Sequence, residues 1–451
     1  MDHGAWTGLP DYRVGDPAMI DLPAARMRAL QGERLAAMVG YVHRHAPFWR
    51  RKLDAAGVRP GDVTGVQDIG RLPTCRKDEL LADQETDPPF GGYTCTPADR
   101  WVRYFTTSGT TGRPLRRVFS QRDWRQVLDW VARRPPLVRP GERVLLTTSA
   151  DALLGATIIT EAVREQGGLV VQTGTRPDRY KVAAIAALRP AMITGAPSFL
   201  LHLARVAADA GIDTRACGIR TIYAFGEPGC AVEATGRALR ERFGARTLID
   251  GLGMTELPPL GGNCPHSPDQ HLSDDLVLTE CLRPDRDEPV GPGELGELTY
   301  TNLVCDTHPL LRYRSGDLGI LSDGEPCACG SVRTRVVGSV QGRVDDMIWY
   351  RGANIFPSAV EAVVRALPGL GTEYRLLRSR GPVALTIQVE AARPVDAAAR
   401  AALAERTGEA IRSAVRESLP VEVLDPGTLP RGDGLRKTRR VIDIEELTDG
   451  R

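Results

Sequence analysis

The residues most able to do chemistry form a short turn that is rich in hydroxyl groups. They are Thr106, Thr107, Ser108, Gly109, Thr110, Thr111, Gly112, Arg113 and Pro114. Hydroxyl groups and backbone N–H groups in a glycine-containing turn make a cradle for an anion, and an arginine adds charge-assisted hydrogen bonds to phosphate. The turn is not a Walker loop, because no lysine follows Gly112 and Pro114 precedes a strand-like run. We predict a phosphate-binding loop, with a hydroxyl-rich hairpin tip as the structural alternative.

Lysine is scarce in this chain, so each lysine is considered singly. Lysine and arginine together number 58, yet the only lysines are Lys52, Lys77, Lys181 and Lys437. Lys437 lies among four arginines, for which a solvated basic tail is the ordinary interpretation. In a chain that otherwise uses arginine, a lysine suggests a site that requires a compact point charge.

Four cysteine and histidine residues form a candidate metal site. Cys264 and His271 have the spacing C-x₆-H, and Cys327 and Cys329 form a C-x-C pair further along. Three thiolates and one imidazole are a structural zinc combination, and four protein ligands leave no open position for catalysis. We expect such a zinc ion to tie a β-rich subdomain to the segment around 253–256. Two alternatives remain: His266 replaces His271, or the cysteines are ordinary buried or turn residues.

The overall composition excludes several classes of protein. The 58 lysine and arginine residues balance 57 aspartate and glutamate residues, so the net charge of +1 gives no electrostatic case for nucleic acid or an acidic membrane. The N-terminus lacks a signal-peptide pattern, and no apolar run approaches the roughly 20 residues of a membrane span. Nine cysteines are too sparse for a disulfide scaffold. We therefore predict a cytoplasmic protein with mostly reduced thiols.

The hydrophobic pattern predicts α/β layers followed by a β-rich segment. Residues 21–57 have helical periodicity, and two β-rich arms flank the hydroxyl-rich turn. Helix-like and strand-like pieces alternate over 121–253, which favours a largely parallel sheet. From about residue 276 the pattern is rich in strands. Gly291–Gly296 fits G-x-G-x-x-G, but the β-rich run that follows predicts a turn before a strand rather than a dinucleotide site.

Five motifs in order resemble those of the adenylate-forming superfamily of acyl-CoA synthetases, adenylation domains and luciferases. The hydroxyl-rich turn is similar to its phosphate loop. The other four are Gly253–Glu256 (G-x-T-E), Tyr313–Asp317 (Y-R-[ST]-G-D), Gly342–Asp346 (the hinge) and Lys437 (the C-terminal lysine). Two longer stretches, YVHRHAPFWRRKLDAAGVRPGDV and GRVDDMIWYRGANIFPSAVEAVV, are similar to the phenylacetate–CoA ligase branch. The resemblance covers essentially the whole chain.

The resemblance implies an α/β fold with two domains. The larger, residues 1–344, is an N-terminal adenylation domain that binds ATP and the acid, with layered α/β subdomains and a β-rich subdomain. The smaller, residues 345–451, is a mobile α+β cap with its hinge at Asp345. In such a fold the cap rotates between two half-reactions, which needs only a few residues that absorb large dihedral changes.

The resemblance also assigns residues to the phosphates of ATP. Thr255 donates to the α-phosphate, Glu256 holds Mg²⁺, and Lys437 reaches the carboxylate and α-phosphate oxygens during adenylation. For Thr255 and Glu256 a solvated junction between strand and loop is the alternative. The β- and γ-phosphates are assigned to the loop formed by Thr107, Ser108, Gly109, Thr110, Thr111, Gly112 and Arg113.

A second group of residues is assigned to the nucleoside. Asp317 accepts hydrogen bonds from the ribose hydroxyls, unless it only caps a turn, and Arg343 contacts the ribose or phosphate region. Leu252 stands where the family has an aromatic residue against adenine, so stacking is lost there. The segments assigned to the two sides of adenine are Gly226-Glu227-Pro228 and Leu252-Gly253-Met254.

Three functional hypotheses follow. The first is an acid–CoA ligase that uses ATP, Mg²⁺ and coenzyme A and acts on a small carboxylic acid, aromatic or arylacetic. The second keeps adenylation but passes the acyl group to a carrier-protein thiol, an amine or another nucleophile. The third is a non-catalytic ligand-binding regulator, against which the presence of Glu256, Asp317 and Lys437 argues. We expect no nucleic-acid or membrane partner, and a homodimer is the candidate assembly.

Overall fold

A computed structural model describes residues 7–12, 14–107, 113–149, 154–227, 230, 232–257, 260–350, 353–379, 385–430 and 439–448. The protein has a mixed α/β fold. The α-helices of these residues are α1 (Ala24–His45), α2 (Pro47–Ala55), α3 (Lys77–Thr86), α4 (Gln121–Ala132), α5 (Leu154–Glu165), α6 (Asp178–Leu188), α7 (Pro197–Asp209), α8 (Glu233–Phe243), α9 (Pro357–Ala366), α10 (Ala397–Val415) and α11 (Ile444–Thr448).

The strands of the described residues are mostly short. They are β1 (Trp101–Thr106), β2 (Arg116–Ser120), β3 (Arg143–Leu146), β4 (Leu169–Gln172), β5 (Met192–Gly195), β6 (Thr221–Ala224), β7 (Thr247–Leu252), β8 (Gly261–Cys264), β9 (Ser267–Leu272), β10 (Val277–Leu282), β11 (Gly296–Asn302), β12 (Tyr313–Gly319), β13 (Arg335–Val336), β14 (Gly342–Arg343), β15 (Ile348–Tyr350), β16 (Ala353–Ile355), β17 (Leu370–Arg378), β18 (Leu385–Ala391), β19 (Val421–Leu424) and β20 (Val441–Asp443).

The chain divides into two compact units, each made of two segments. The first unit comprises Met1–Gln172 and Ile249–Ser339, and the second comprises Thr173–Leu248 and Val340–Arg451. The division into domains at Asp345 stays a prediction.

The first unit contains both parallel and antiparallel pairs of strands. Strands β3 and β4 are parallel, whereas β1 pairs with β2, and β10 with β11 and β11 with β12, in antiparallel fashion. Strands β7, β8, β9 and β13 also pair successively in antiparallel fashion. The turn from β2 into α4 is fixed by Ser120, whose hydroxyl accepts a hydrogen bond from the Asp123 backbone N–H. Such an N-cap satisfies one of the N–H groups that a helix leaves without a partner.

The second unit contains the parallel pair of β5 and β6 and a separate α+β layer. In the C-terminal part, four strands pair in the order β19-β18-β17-β20, and α9 and α10 pack against them. The core between these helices and strands is apolar, with Ile355, Val360, Ile387, Val389 and Ile411 among its fully buried members. Helix α10 begins after Asp396, whose side chain accepts from the Ala399 N–H.

The pattern predictions are largely confirmed. Helices α4–α8 alternate with strands β3–β7, as predicted for residues 121–253. The segment from Gly291 is a turn that leads into β11, also as predicted. The single helical run predicted over 21–57 is wrong in one respect: Ala46 is extended, and Pro47 opens a second helix. Proline lacks an N–H and disfavours a helical residue before it, which explains the break.

A buried carboxyl group on β7 makes the stability of the fold depend on pH. Asp250 is 6% exposed and accepts a hydrogen bond of 3.0 Å from Gln270 Nε2. Burial raises the pKa of Asp250 from 3.8 to about 7. Between these two pH values the unfolded chain is ionised at this position while the folded chain keeps its proton. The contribution of Asp250 therefore lowers stability as pH rises from about 4 to about 7, and changes little above that.

We expect Asp250→Asn to stabilise the protein, and to do so more at pH 8 than at pH 5. Asparagine keeps an acceptor for Gln270 and cannot ionise. The free-energy advantage over the parent should grow by roughly 1.4 kcal/mol per pH unit across the window in which only the unfolded chain is ionised. Melting temperatures of both proteins between pH 4.5 and 8.5 check this. A difference in melting temperature between the two proteins that stays constant across this pH range would contradict the prediction.

Candidate active site

The loop predicted to bind phosphates is anchored by the hairpin of β1 and β2. The Thr107 N–H donates to the Leu115 carbonyl at 3.0 Å, and the Leu115 N–H donates to Thr107 Oγ1 at 3.0 Å. Thr107 is thus buried and fixes the base of the loop. At the other end Arg113 forms an ion pair with Glu85, in which both side chains are more than half exposed. Exposed pairs contribute little, so Arg113 can exchange Glu85 for a phosphate at small cost. Residues 108–112 lie outside the described residues.

The motif Tyr313–Asp317 lies in β12 and contains a local irregularity. The register with β11 shifts between Glu297 and Thr299. Gly316 has φ 77°, a left-handed conformation that favours glycine. The Ser315 hydroxyl donates to the Leu298 carbonyl at 2.6 Å and accepts from the Asp317 N–H at 3.0 Å. Asp317 therefore lies in a strand, and its backbone position is set by the residues that precede it.

A buried ion pair holds this irregular strand. Arg314 Nε donates to Glu297 Oε2 at 2.8 Å, and the side chains of Arg314 and Glu297 are 3% and 0% exposed. The other oxygen of Glu297 accepts from the Gly316 N–H at 3.0 Å. Removal of one partner from a buried pair leaves an uncompensated charge and typically costs about 3–5 kcal/mol. Glu297 thus supports Asp317 through the backbone, a role that no sequence pattern indicated.

Glu256 and Tyr313 bring two of the sequence motifs together. Glu256 follows β7 in a turn closed by a hydrogen bond from the Leu257 N–H to the Met254 carbonyl. Its side chain is 9% exposed, so Glu256 is not part of a solvated junction. The Tyr313 hydroxyl donates to Glu256 Oε1 at 3.3 Å. Burial and the charge of Glu256 raise the pKa of Tyr313 well above 10, which keeps this hydroxyl protonated as a donor.

The Glu256 carboxylate fits a hard divalent cation. Lys77 Nζ lies 3.3 Å from Oε1, the same oxygen that Tyr313 contacts. Within the described part of the chain, no residue donates a hydrogen bond to Oε2. Magnesium takes one or two carboxylates together with phosphates and water, so an available carboxylate oxygen in this turn suits it. In the sequence, Lys77 was notable only as one of four lysines.

Gly226 and Glu227, from one of the two segments predicted to contact adenine, and the predicted hinge at Gly342–Asp346 belong to the second unit. Gly226 has φ 94°, again a conformation for glycine. Glu227 Oε1 accepts a hydrogen bond of 2.7 Å from the Ser198 N–H, in the first turn of α7. Burial raises the pKa of Glu227, and the hydrogen bonds from Ser198 oppose that effect. In the predicted hinge, Arg343 Nη2 lies 3.5 Å from Asp345 Oδ2, and the side chain of Asp345 is 79% exposed.

The remaining predicted site residues fall into two groups. Leu252 ends β7 and pairs with Gly261 of β8, and Gly253, Met254 and Thr255 occupy the turn that follows. The residues of the prediction that lie outside the described part of the chain are Ser108, Gly109, Thr110, Thr111, Gly112, Pro228 and Lys437. The functional roles of all these residues stay predictions.

The four predicted metal ligands lie together in the first unit. The candidate ligand atoms of Cys264, His271, Cys327 and Cys329 all lie within 4.8 Å of one another. The Sγ atoms of Cys264 and Cys327 are 3.8 Å apart, and Cys329 Sγ is 4.0 Å from His271 Nε2. The histidine of this cluster is therefore His271.

Two local structures position these ligands. The hairpin of β8 and β9 carries Cys264 and His271, and a turn that closes from the Gly330 N–H to the Cys327 carbonyl at 2.8 Å carries the C-x-C pair. Burial, with help from nearby Arg333 and Arg335, lowers the pKa of His271 to about 4, so its ring is neutral at pH 7. A neutral imidazole beside three cysteines, which bind zinc as thiolates once their protons are released, is a donor set that zinc accepts.

Comparisons with known proteins identify the family to which the chain belongs. The family model for AMP-binding enzymes matches residues 30–302, and the model for the AMP-binding enzyme C-terminal domain matches residues 352–444. The chain therefore belongs to the AMP-binding enzyme family. This result confirms the resemblance to the adenylate-forming superfamily.

The relatives place the chain more narrowly. It is 32% identical to the phenylacetate-coenzyme A ligase of Thermus thermophilus, over 95% of this chain and 99% of the relative. A crystal structure of 2-hydroxyisobutyryl-CoA ligase in the postadenylation state with R3-HIB-AMP is 28% identical, with a TM-score of 0.89 over 100% of this chain and 96% of that one. The same ligase in the thioesterification state gives a TM-score of 0.70 at 28% identity, over 100% and 97% of the two chains. The protein is an AMP-forming acid–CoA ligase of the phenylacetate–CoA ligase-like branch.

The helices give one further result. In the ranges that the structure describes, none combines the length and the apolar character needed to cross a membrane. The cytoplasmic location and the homodimer stay predictions.

Proposed function

We propose that this enzyme activates an aromatic or arylacetic acid with ATP and transfers it to coenzyme A. An oxygen of the carboxylate attacks the α-phosphorus of ATP, and the bond to the bridging oxygen breaks to release pyrophosphate. The thiol sulfur of coenzyme A then attacks the acyl carbon, and AMP leaves. The observation that carries the proposal is the contact between Glu256 and Tyr313, which joins two nucleotide motifs at a buried carboxylate.

The first half-reaction brings two anions together, so the main demand on the site is charge. A Mg²⁺ ion held at this site would supply positive charge against the negative charge of the phosphates. Glu256 would hold the ion, and Tyr313 would keep the carboxylate in place by donating to Oε1. Thr255 would donate to the α-phosphate, and Asp317 would accept from the ribose hydroxyls. Preorganised groups of this kind lower the barrier because they need not reorient during the reaction.

The second half-reaction requires Lys437 to leave and the thiol to enter. We propose a rotation of the cap about Asp345 for this purpose. The ion pair of Asp345 with Arg343, at 3.5 Å, involves a side chain that is 79% exposed. An exposed pair of this kind resists rotation weakly. The 2-hydroxyisobutyryl-CoA ligase has been solved in postadenylation and thioesterification states, which supports two working conformations for such enzymes.

The choice of acid rests on the branch and on aromatic side chains in the second unit. Similarity to the phenylacetate-coenzyme A ligase of Thermus thermophilus supports an arylacetic acid as the substrate of this enzyme. Similarity to the 2-hydroxyisobutyryl-CoA ligase instead supports a short hydroxy acid. Phe225 directly precedes Gly226, in a segment predicted to contact adenine, so we propose that it lines the acyl pocket. Its ring has an edge-to-face contact with Tyr223, with 6.3 Å between the ring centroids. Aromatic rings prefer this geometry, and a further ring of the substrate can join it.

Formation of acyl-CoA from a panel of acids tests this proposal. The purified enzyme is incubated with ATP, Mg²⁺, coenzyme A and one acid at a time, and the thioesters are identified by mass spectrometry. We expect the fastest reaction with an aromatic or arylacetic acid. A preference for a short hydroxy acid would overturn the substrate assignment. Release of pyrophosphate without any CoA thioester would favour a carrier-protein thiol, an amine or another nucleophile as the acceptor.

We also propose that Cys264, His271, Cys327 and Cys329 bind one structural zinc ion. The support is the proximity of all four ligand atoms, within 4.8 Å of one another. Zinc in such a site would tie the hairpin of β8 and β9 to the turn at Cys327. A closed set of four protein ligands points to stability rather than catalysis.

Cys327→Ser is expected to lose zinc and to melt at a lower temperature. A serine hydroxyl is a poor replacement for a thiolate ligand, and binding of a structural metal contributes directly to folding. Elemental analysis of the purified proteins measures the metal. Cys281→Ser is the matched control, because Cys281 is buried in the same unit and its thiol donates to the Gly319 carbonyl at 3.4 Å. Equal zinc content in the parent and in Cys327→Ser would contradict the proposed zinc site.

A further inference from the structure

Lys77 has no role in the proposed reaction, yet its ammonium group contacts the carboxylate of Glu256, the proposed metal ligand. Lys77 Nζ is 3.3 Å from Glu256 Oε1. The side chain of Lys77 is 35% exposed, whereas that of Glu256 is 9% exposed. One end of this ion pair is therefore fixed in the protein interior, and the other end reaches solvent. A lysine in this position can change its partner without unfolding its surroundings.

The backbone fixes Lys77 beside Tyr313. Cys75 forms a parallel bridge with Tyr313: its N–H donates to the Arg312 carbonyl at 3.1 Å, and its carbonyl accepts from the Arg314 N–H at 2.9 Å. Helix α3 begins two residues later, at Lys77, after the Arg76 N–H donates to Glu79 Oε1 at 2.9 Å. The start of α3 is thus tied to the same strand that carries Tyr313.

The ammonium on Oε1 disfavours the binding of a metal at the same carboxylate, although Oε2 accepts no hydrogen bond from the described residues. Lys77 and Mg²⁺ are both cations, and both would contact one buried carboxylate. A partly buried site has a lower effective dielectric constant than water, so the two cations repel each other more strongly there than they would in solution. Triphosphate carries more negative charge than a single carboxylate, so it offers the displaced ammonium a better partner. A compact ammonium on a flexible stem can make this exchange, since it needs no fixed planar geometry.

We propose that Lys77 holds Glu256 in the nucleotide-free enzyme and passes to the phosphate oxygens of ATP when Mg²⁺ takes the carboxylate. Lys77 thus opposes the binding of metal alone and favours the binding of metal with nucleotide. The inference rests on the proposed function, in which Glu256 is the metal ligand. It makes Lys77 a positioning residue in the free enzyme and a phosphate-binding residue in the complex.

Equilibrium binding of Mn²⁺ to the full-length chain tests the exchange, because Mn²⁺ replaces Mg²⁺ and is detected directly by electron paramagnetic resonance. In Lys77→Met we expect Mn²⁺ alone to bind roughly five-fold or more tightly, and a non-hydrolysable ATP analogue with Mn²⁺ to bind about ten-fold more weakly. These are ordinary sizes for coupling between two ligands. Lys77→Arg keeps the charge and should restore much of the analogue affinity.

Lys52→Met is the matched control, because Lys52 is also a partly buried lysine paired with a glutamate, Glu79. It should leave both affinities unchanged. Unchanged Mn²⁺ affinity in Lys77→Met, or the same change in Lys52→Met, would overturn the inference. Lys77→Gln gives a second test if the methionine variant does not fold. Failure of the proposed metal site itself is distinguishable, since Glu256→Gln would then bind Mn²⁺ with the analogue as well as the parent does.

Discussion

Replacement of Glu256 by glutamine is expected to lower the rate of adenylation by about 100-fold or more. Glutamine has nearly the same shape but no charge, so it cannot hold Mg²⁺ against the phosphates as their charge redistributes. A metal ion in such a site typically supplies several kcal/mol of transition-state stabilisation. The local fold should survive, because the Tyr313 hydroxyl, now 3.3 Å from Oε1, can donate to the amide oxygen as well.

The rate of pyrophosphate release as a function of Mg²⁺ concentration measures this effect. Tyr313→Phe is the informative comparison, because it removes the hydrogen bond but leaves the charge of Glu256. It should lose only about ten-fold, because this hydrogen bond is long, at 3.3 Å, and one hydrogen bond to a charged group contributes about 1.5 kcal/mol at the low end of its usual range. If Glu256→Gln has the parental rate and the parental dependence on Mg²⁺ concentration, Glu256 is not the metal ligand.

Replacement of Lys437 by alanine should stop adenylation and spare the second half-reaction. Adenylation forces a carboxylate towards the α-phosphate, and a mobile ammonium offsets the charge of both groups. We expect a loss of about 100-fold or more in acyl-adenylate formation, comparable to the loss of a preorganised donor elsewhere. Synthetic acyl-AMP and coenzyme A should still give thioester at close to the parental rate, because the proposed rotation of the cap removes the lysine before the thiol reacts.

Two separate assays measure these half-reactions for Lys437→Ala. Arg439→Ala is a suitable control, because Arg439 is a nearby cation whose exposed side chain pairs with Glu446 at 3.0 Å. It should leave both rates near those of the parent. An equal loss of both half-reactions in Lys437→Ala would contradict the assignment of Lys437 to one working conformation.

The sequence predicted elements well where periodicity is strong and local. The alternation from α4 to β7 was predictable because each helix has an apolar face and each buried strand is a short apolar run. Strands β17, β19 and β20 were not predicted. The latter two are four and three residues long and exist through pairing with β18 and β17, so little local pattern marks them. Tertiary contact, rather than propensity, decides such strands.

The candidate site also contains residues that were predicted from the sequence and residues that were not. Glu256, Asp317 and the four cluster residues were predicted because short motifs carry them. Glu297 and Lys77 were missed as functional residues, since their roles depend on contacts between segments that are far apart in sequence. The choice of His271 over His266 likewise required the hairpin of β8 and β9. The one signal that pointed to Lys77 was the scarcity of lysine.

Carboxylate-dependent exchange of labelled pyrophosphate into ATP tests the central claim most directly. The reaction requires only the first half-reaction and its reversal, so it does not depend on the identity of the acceptor. We predict exchange that needs both Mg²⁺ and an acid, and that is greatest with an aromatic or arylacetic acid. Absence of exchange with every acid in the panel, while Mg²⁺ and ATP still bind, would contradict the account and favour a ligand-binding regulator.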